Sequence, residues 1–321
     1  MTTELSTTVF RPAVVRLSGH PWFRSFATGS RPGRAVARRF VAGEHLDDAM
    51  RAAHELDRRH IAAMLDHLGE NVITAAQVAA ARAAYLAALA RIREETSLDC
   101  AISIKLSQLG LDVAVSECLS NLDPILEAAG EARTLIMIDM EGYGSVDPTL
   151  EVLRTIHARY PRVGVCLQSY LRRTDRDVFD LPPGVRVRLV KGAYLEPPEV
   201  VYPDKHDVDA AFARLFSTLL ARGHAIDVAT HDPRLIEGVR ARVDRIENGW
   251  SRVEFQMLYG VRRDLQARLA GQGYPLRVYV PYGTEWYPYL TRRLAERPAN
   301  VWFFLSNLAR GAGRAAAMPD G

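Results

Sequence analysis

Residues 185–231, "VRVRLVKGAYLEPPEVVYPDKHDVDAAFARLFSTLLARGHAIDVATH", read as a strand, a helix and a second strand. "VRVRLVKG" and "AIDVATH" are short runs rich in β-branched and aliphatic residues, and "DAAFARLFSTLLARG" between them repeats its apolar residues at helical spacing. Working outward, "IAAMLDHLG", "CAISIKL", "TLIMIDM" and "VGVCLQSY" precede this unit and "RVEFQML" and "LRVYVPYG" follow it, with helical segments such as "TAAQVAAARAAYLAALARIREE" between them. From about residue 62 onward this makes about eight repeats of strand then helix. The pattern predicts an α/β protein built as a closed (β/α)8 TIM-type barrel. The expected division is an N-terminal helical lead-in over residues 1–60 and a barrel over residues 61–321, whose final helix caps the C-terminal mouth.

A chain of 321 residues with 48% hydrophobic side chains has ample material for a large core. The net charge of +3 is small and unevenly placed: seven arginines against two glutamates give residues 1–44 a charge of +5 and leave −2 elsewhere. No aromatic-interleaved basic patch accompanies that excess, so nucleic acid is not an expected partner; a solvated helical lead-in is the first reading and membrane-surface contact the second. The Arg-rich, acid-poor start has the composition of a transit peptide, but "FVAGEHLDDAMRAAHELDRRH" continues with helical period, as folded protein does. No apolar run approaches the roughly 20 residues that cross a bilayer, and no secretory signal core occurs. Cys100, Cys118 and Cys166 are odd in number and sit beside apolar residues, which fits buried thiols in a reducing, cytoplasmic setting and offers no metal-ligand spacing.

In such barrels the C-terminal ends of the strands and the loops after them build the active site. That rule selects Glu70 after the first strand, Lys105 at the end of the second, Asp139 and Met140 after the third, and Gln168 after the fourth. It then selects Arg188, Lys191 and Tyr194 at the fifth, Thr230 and His231 at the sixth, Gln256 and Leu258 at the seventh, and Tyr279 on the eighth. The helix that follows, in "YPYLTRRLAERPANV" (287–301), sets Tyr289, Arg292, Arg293 and Glu296 at i, i+3, i+4 and i+7, one polar stripe beside the docking residues Leu290 and Leu294. A solvated face laced with an Arg–Glu pair would produce this stripe. So would an anion clamp, because arginine recognises carboxylates bidentately and a neighbouring ring can cover a small apolar body.

Lys105 ends the apolar strand "AISIK" and would add a third cation, which calls for an anionic ligand or for the internal carboxylates Asp139, Glu70 and Glu296. A salt-bridge network tying the barrel top together is the alternative. Gly192 in "RLVKGAY" allows backbone to approach a flat or phosphorylated ligand, although an ordinary loop turn uses glycine equally well. Lys191 also has the position of a Schiff-base lysine in barrel aldolases. Thr230 and His231 precede "DPRLIEG", a helix start able to hold a phosphate; a capping or loop histidine is the plainer account. No GxGxxG follows a strand and no GxxxxGK occurs, so a dinucleotide would be held without a Rossmann or Walker loop.

Taken in order between about Phe40 and Leu305, "SIKLS", "IDMEG", "CLQSY", "RLVKGAY", "ATHDP", "EFQMLYG" and "VYVPYGTEWYPYLTRRLAERPANV" resemble the proline dehydrogenases, FAD enzymes of proline catabolism. The chain is similar to the shorter, monofunctional branch: it shows no aldehyde dehydrogenase domain or DNA-binding arm. Tyr259 and Leu195 stand where the long bifunctional relatives tend to have histidine and tryptophan.

The resemblance implies FAD as cofactor and L-proline as substrate, with hydride passing from proline Cδ to flavin N5 to leave a cyclic imine. It implies that Arg292, Arg293 and Lys105 bind the carboxylate, that Tyr279, Tyr289, Leu258, Ala193 and Tyr194 line the ring, and that Glu296 shares the clamp's stripe. The flavin contacts it implies are Met140, Gln168, Arg188, Val190, Lys191, Gly192, Ala193, Thr230, His231 and Gln256. Arg188, beside flavin N5, and Asp139, near Lys105 and Tyr279, would be the catalytic pair, and Glu70 would gate the site by pairing with Arg292. Membrane quinone, met at the inner face of the cell membrane, is the implied electron acceptor. A separate pyrroline-5-carboxylate (glutamate semialdehyde) dehydrogenase would take the product, and a homo-oligomer is compatible with the family. Two rival readings remain at this level: an aldolase-like lyase using Lys191 or Lys105, and a non-catalytic protein that binds nucleic acid or membrane through its basic N-terminus.

Overall fold

Side chains along each barrel strand alternate between the surrounding helices and the barrel axis, and this parity decides which residues reach the site. The computed structural model describes residues 37–69 and 72–296, apart from the side chains at 292 and 294–296. The strands are β1 (Ala62–His67), β2 (Cys100–Ile104), β3 (Ile136–Ile138), β4 (Val163–Gln168), β5 (Arg186–Val190), β6 (Ala225–Ala229), β7 (Val253–Leu258) and β8 (Leu276–Tyr282). Each is parallel to the next, and β8 pairs with β1 to close the barrel that the sequence pattern predicts. The helices are α1 (Leu46–Asp57), α2 (Ala75–Glu94), α3 (Val115–Glu131), α4 (Val146–His157), the single turn α5 (Thr174–Asp177), α6 (Lys205–Ala221), α7 (Pro233–Val243), α8 (Arg263–Gly271) and α9 (Trp286–Glu296).

Local chemistry sets where helices begin. At the start of α2 the Thr74 hydroxyl accepts from the Gln77 N–H (3.2 Å) while the Gln77 carboxamide accepts from the Thr74 N–H (3.0 Å), a reciprocal cap ahead of an alanine-rich run of high helix propensity. At α7, Asp232 precedes Pro233 and its carboxylate accepts from the Arg234 N–H (3.1 Å).

The outward set, including Ile102, Ile104, Ile138, Val165, Leu189, Val228, Phe255 and Val280, is fully buried under the helices and forms the main core. The inward set is mixed: Met64, Ala101 and Met137 form a small apolar cluster, and polar residues occupy much of the rest. Arg188 on β5 sits level with Cys166 on β4 and Asp227 on β6, and Asp227 is level with Glu254 on β7. Low in the barrel, Arg277 donates to Glu254 (2.9 Å) and Asp99 (2.9 Å), and Arg186 donates to Asp227 (2.7 Å). The buried members of this set, Arg277, Glu254 and Asp227, each have a partner of opposite sign. They form a floor beneath the site.

α1 packs on the outside of β1 and β8, filling the ring position that the eighth helix of a regular repeat would take. This frees α9, which follows β8, to lie over the C-terminal ends of the strands. A second apolar cluster of Phe40, Val41, Leu68, Val261, Trp286, Tyr287 and Leu290 seats it, and the Trp286 indole donates to Glu44 (3.3 Å). Of the expected lead-in, residues 1–36 lie outside the described residues. β3 is shorter than "TLIMIDM" suggests: the Asp139 N–H still bonds the Ile104 carbonyl (2.9 Å), but the chain turns there, aiming Asp139 and Met140 at the mouth.

Candidate active site

A cleft of about 360 Å³ opens at the C-terminal ends of the strands beneath α9. β1 contributes Asp66, and the chain just past β2 and β3 contributes Lys105, Asp139 and Met140. β4 supplies Cys166 and Gln168, β5 supplies Arg188 and Val190, and the loop after β5 supplies Lys191, Gly192, Ala193 and Tyr194. Thr230 and His231 follow β6, Gln256 and Leu258 end β7, Tyr279 comes from β8, and Tyr289 with Arg293 descend from α9. One cleft therefore collects every described side chain that the strand-end rule and the α9 stripe select. Glu70 lies outside the described residues, as do the side chains of Arg292 and Glu296.

Asp139 is the hub of the cleft floor. Its Oδ1 accepts from Arg188 (2.6 Å) and Ser103 (2.7 Å), and its Oδ2 accepts from Tyr279 (2.8 Å) and Lys105 (3.2 Å). Burial works to raise the pKa of this carboxyl, but Lys105, Arg188 and the hydroxyls of Ser103 and Tyr279 outweigh it and hold Asp139 below the usual carboxylate range. Burial likewise opposes the charge on Lys105, yet Asp66, Tyr279, Asp139 and Tyr85 keep its pKa well above that of a free lysine. The ammonium donates to Asp66 (2.5 Å) and Tyr279 (3.3 Å) as well as to Asp139. Arg188 is pinned on all sides: it donates to Asp139, to Ser103 (3.0 Å) and to Gln256 (2.7 Å), contacts the Met64 sulfur, and lies 5.2 Å from the centre of the Tyr279 ring.

The β4–β7 side of the cleft is rich in neutral donors and acceptors. Gln168 donates to the Glu141 carbonyl (2.9 Å), Gln256 donates to Glu254 (3.1 Å), and the Nε2 of His231 accepts from the Leu258 N–H (3.0 Å). Lys191 reaches Asp209 (2.5 Å) and Asp232 (2.9 Å). Gly192 has φ +121°, and a Cβ there would stand 2.1 Å from the Tyr170 ring, so the chain passes the cleft in a conformation and at a distance that only glycine permits.

Residues 49–305 match the family model described as proline dehydrogenase. The chain belongs to the proline dehydrogenase family. It is an oxidoreductase of proline catabolism, and proline dehydrogenases are flavin-dependent. It is 40% identical over 311 residues to proline dehydrogenase of Deinococcus radiodurans, covering 94% of this chain and 99% of that protein. It is 39% identical over 290 residues to proline dehydrogenase 1 of Bacillus subtilis strain 168, covering 88% and 93%. The bifunctional protein PutA of Escherichia coli is 27% identical over 337 residues, which span 90% of this chain but 25% of PutA. The fold matches proline utilization A of Bdellovibrio bacteriovorus, in a structure inactivated by N-propargylglycine, with a TM-score of 0.76 and 22% identity. The match covers 82% of this chain, which spans about a third (32%) of that longer protein.

Within this proline dehydrogenase fold the geometry refines the sequence expectations for Lys105 and for the start of α7. Of the internal carboxylates that the sequence offers to Lys105, Asp139 is in contact with it, Glu70 and the Glu296 side chain lie outside the described residues, and Asp66 joins Asp139 as a second partner. Asp66 escaped the strand-end rule because it lies inside β1, although it is the only acidic residue of that strand and shares the inward parity of Met64. The N-terminus of α7, which the sequence reads as able to hold a phosphate or simply as capped, carries Asp232 as its cap, and that carboxylate is in turn held by Lys191 and Lys205 (3.1 Å). A Schiff-base role needs a lysine able to shed its proton, and Lys105 is held in the opposite state, as a buried ammonium between two carboxylates.

Proposed function

We propose that this chain oxidises L-proline to pyrroline-5-carboxylate with FAD as the hydride acceptor. The observation that carries the reading is the cleft's two-sided chemistry. A rigid floor of Arg188, Asp139, Lys105 and Tyr279 faces an aromatic and cationic roof, Tyr289 and Arg293, across a space walled by Leu258 and Ala193. Proline is a zwitterion with a small apolar ring. Lys105 and Arg293, joined by Arg292 from the same helix, would meet its carboxylate, while Tyr279, Tyr289, Leu258, Ala193 and Tyr194 would cover the ring. Anchoring the carboxylate at one end fixes which ring carbon faces the β4–β7 wall, so orientation follows from charge.

The residues of that wall suit FAD. Two buried carboxamides, Gln168 and Gln256, match the alternating donors and acceptors of a flavin's polar edge, and the buried guanidinium of Arg188 suits the side that becomes electron-rich. Gly192 allows a planar group to approach the backbone, and Met140, Val190, Lys191, Ala193, Thr230 and His231 complete the proposed contact set. When bound, FAD supplies the two-electron acceptor that the protein's own side chains lack. Asp139, held ionised by its partners, acts by holding Arg188, Lys105 and Tyr279 in fixed relation, which is an electrostatic role. α9 excludes water from above.

Glu70 is proposed to gate the cleft through Arg292. If the two act as a pair, Glu70→Ala and Arg292→Met should slow flavin reduction less than additively when combined, and fully additive losses would remove the gate. Delivery of electrons to a membrane quinone at the bilayer surface is part of the proposal; among the described residues no helix is long and apolar enough to cross a membrane. The cofactor is tested by extraction from the folded protein and mass spectrometry. FAD is expected, and its absence even after incubation with FAD would overturn the assignment.

A further inference from the structure

We propose that Asp66 is the positioning residue for Lys105: its carboxylate, buried on β1, holds the ammonium in place and charged so that a substrate carboxylate meets a cation there. The inference rests on the reading of Lys105 given under Proposed function and extends it to a residue outside the set that the family resemblance implies.

Asp66 has no solvent exposure and lines the cleft. Its Oδ1 accepts from Lys105 at 2.5 Å, the shortest of the three contacts that the ammonium makes. Its Oδ2 is buried without a hydrogen-bond partner among the described residues. A carboxylate left half satisfied in the interior costs stability, and folds keep such groups where they serve a purpose. Asp139 cannot replace it. That carboxylate is shared among Arg188, Ser103 and Tyr279, all closer to it than Lys105 is.

The groups facing Lys105 are Asp66 from β1, Asp139 after β3, Tyr279 from β8, and Tyr85 from α2, whose hydroxyl accepts from the Lys105 backbone N–H (3.2 Å); Glu141, after β3 and held by the Ser107 N–H (3.0 Å), acts on it from further off, and Arg188 shares Asp139 with it. Arg293 lines the same cleft from α9, and His67 adjoins Asp66. In direct contact, two cations, Lys105 and Arg188, meet two carboxylates, Asp66 and Asp139. Removing the charge of Asp66 leaves one carboxylate for two buried cations. Of these, the lysine is the one able to lose its proton.

The test uses tetrahydrofuran-2-carboxylate, a proline mimic with oxygen in place of the amine, so that between about pH 6 and 9 the ligand itself does not titrate. Its affinity for the flavin-loaded protein is measured by calorimetry, with the neutral carboxamide as control. In the wild type, affinity for the carboxylate is expected to stay flat over this range. In Asp66→Asn it should match or exceed the wild type at the acid end and then fall, by up to about tenfold per pH unit once the lowered lysine pKa is passed, while the carboxamide shows no such trend. Lys105→Met should bind the carboxylate weakly at every pH. Parallel profiles for Asp66→Asn and wild type would overturn the role of Asp66 while leaving the carboxylate site intact. Unchanged affinity in Lys105→Met would overturn the reading of Lys105, and Asp66 with it. If Asp66→Asn yields no folded protein, Asp66→Glu decides: it keeps the charge but displaces the ammonium, so weaker binding of the carboxylate with unchanged binding of the carboxamide supports the proposal, and unchanged carboxylate affinity overturns it.

Discussion

Arg188 is 4% exposed, and its charge survives burial because Asp139, Ser103 and Gln256 meet its donors from three different strand ends. A cation fixed in this way needs no reorganisation when negative charge develops beside it. Arg188→Met should therefore lower the reduction potential of the bound flavin and slow its anaerobic reduction by proline about 100-fold, while the cofactor stays bound. Redox titration and stopped-flow absorbance measure both, and an unchanged potential would remove Arg188 from this role. Gly192→Ala should destabilise the protein by about 1–3 kcal/mol, because the new Cβ meets both a positive φ and the Tyr170 ring. Thermal unfolding would show it, and an unshifted melting temperature would mean that the loop after β5 relaxes freely. At this scale the strand-end residues were legible because a charge ending an apolar run has few explanations. Asp66 was not, because its role depends on parity within β1 and on a lysine 39 positions away, and a one-dimensional pattern shows neither.

All eight strands were visible as apolar runs, since each buries one face under helices and closes the barrel with the other. That the final helix caps the mouth was legible from its polar stripe; which helix takes its place in the ring was not. A repeat predicts that some helix fills the ring between β8 and β1, and only packing shows that α1 does so, releasing α9 to the mouth. The polar stripe on α9 follows from this placement. The Arg293 guanidinium carbon lies 5.1 Å from the centre of the Tyr289 ring, which links the cationic and aromatic parts of the roof. Arg293→Met should weaken binding of proline and of carboxylate-bearing mimics about 10-fold to 100-fold, in line with one charged hydrogen bond. Calorimetry measures it, and full retention of affinity would return the stripe to the role of a solvated face.

Across the whole molecule the polar interior of the barrel sets a cost that the helices' apolar core must offset. Burial, assisted by Glu254 and opposed by Arg186, pushes Asp227 up to about 6. Because this folded-state value lies above the unfolded one of about 3.9, the native protein binds the extra proton between the two, and stability is lost as pH rises through that window. Asp227→Asn should remove this component. In urea unfolding from about pH 4 to 7, the stability of the wild type relative to the variant should decline with rising pH, whereas a constant difference would contradict the buried-carboxylate account. The floor, the β4–β7 wall and the roof converge on one claim, that this barrel holds a flavin against a carboxylate-anchored proline. The most direct test is anaerobic addition of L-proline to the FAD-loaded protein, followed by absorbance and by mass spectrometry of the product. The flavin bands should bleach as an equal amount of the cyclic imine forms; a folded, flavin-loaded protein whose bands persist in excess proline would contradict it.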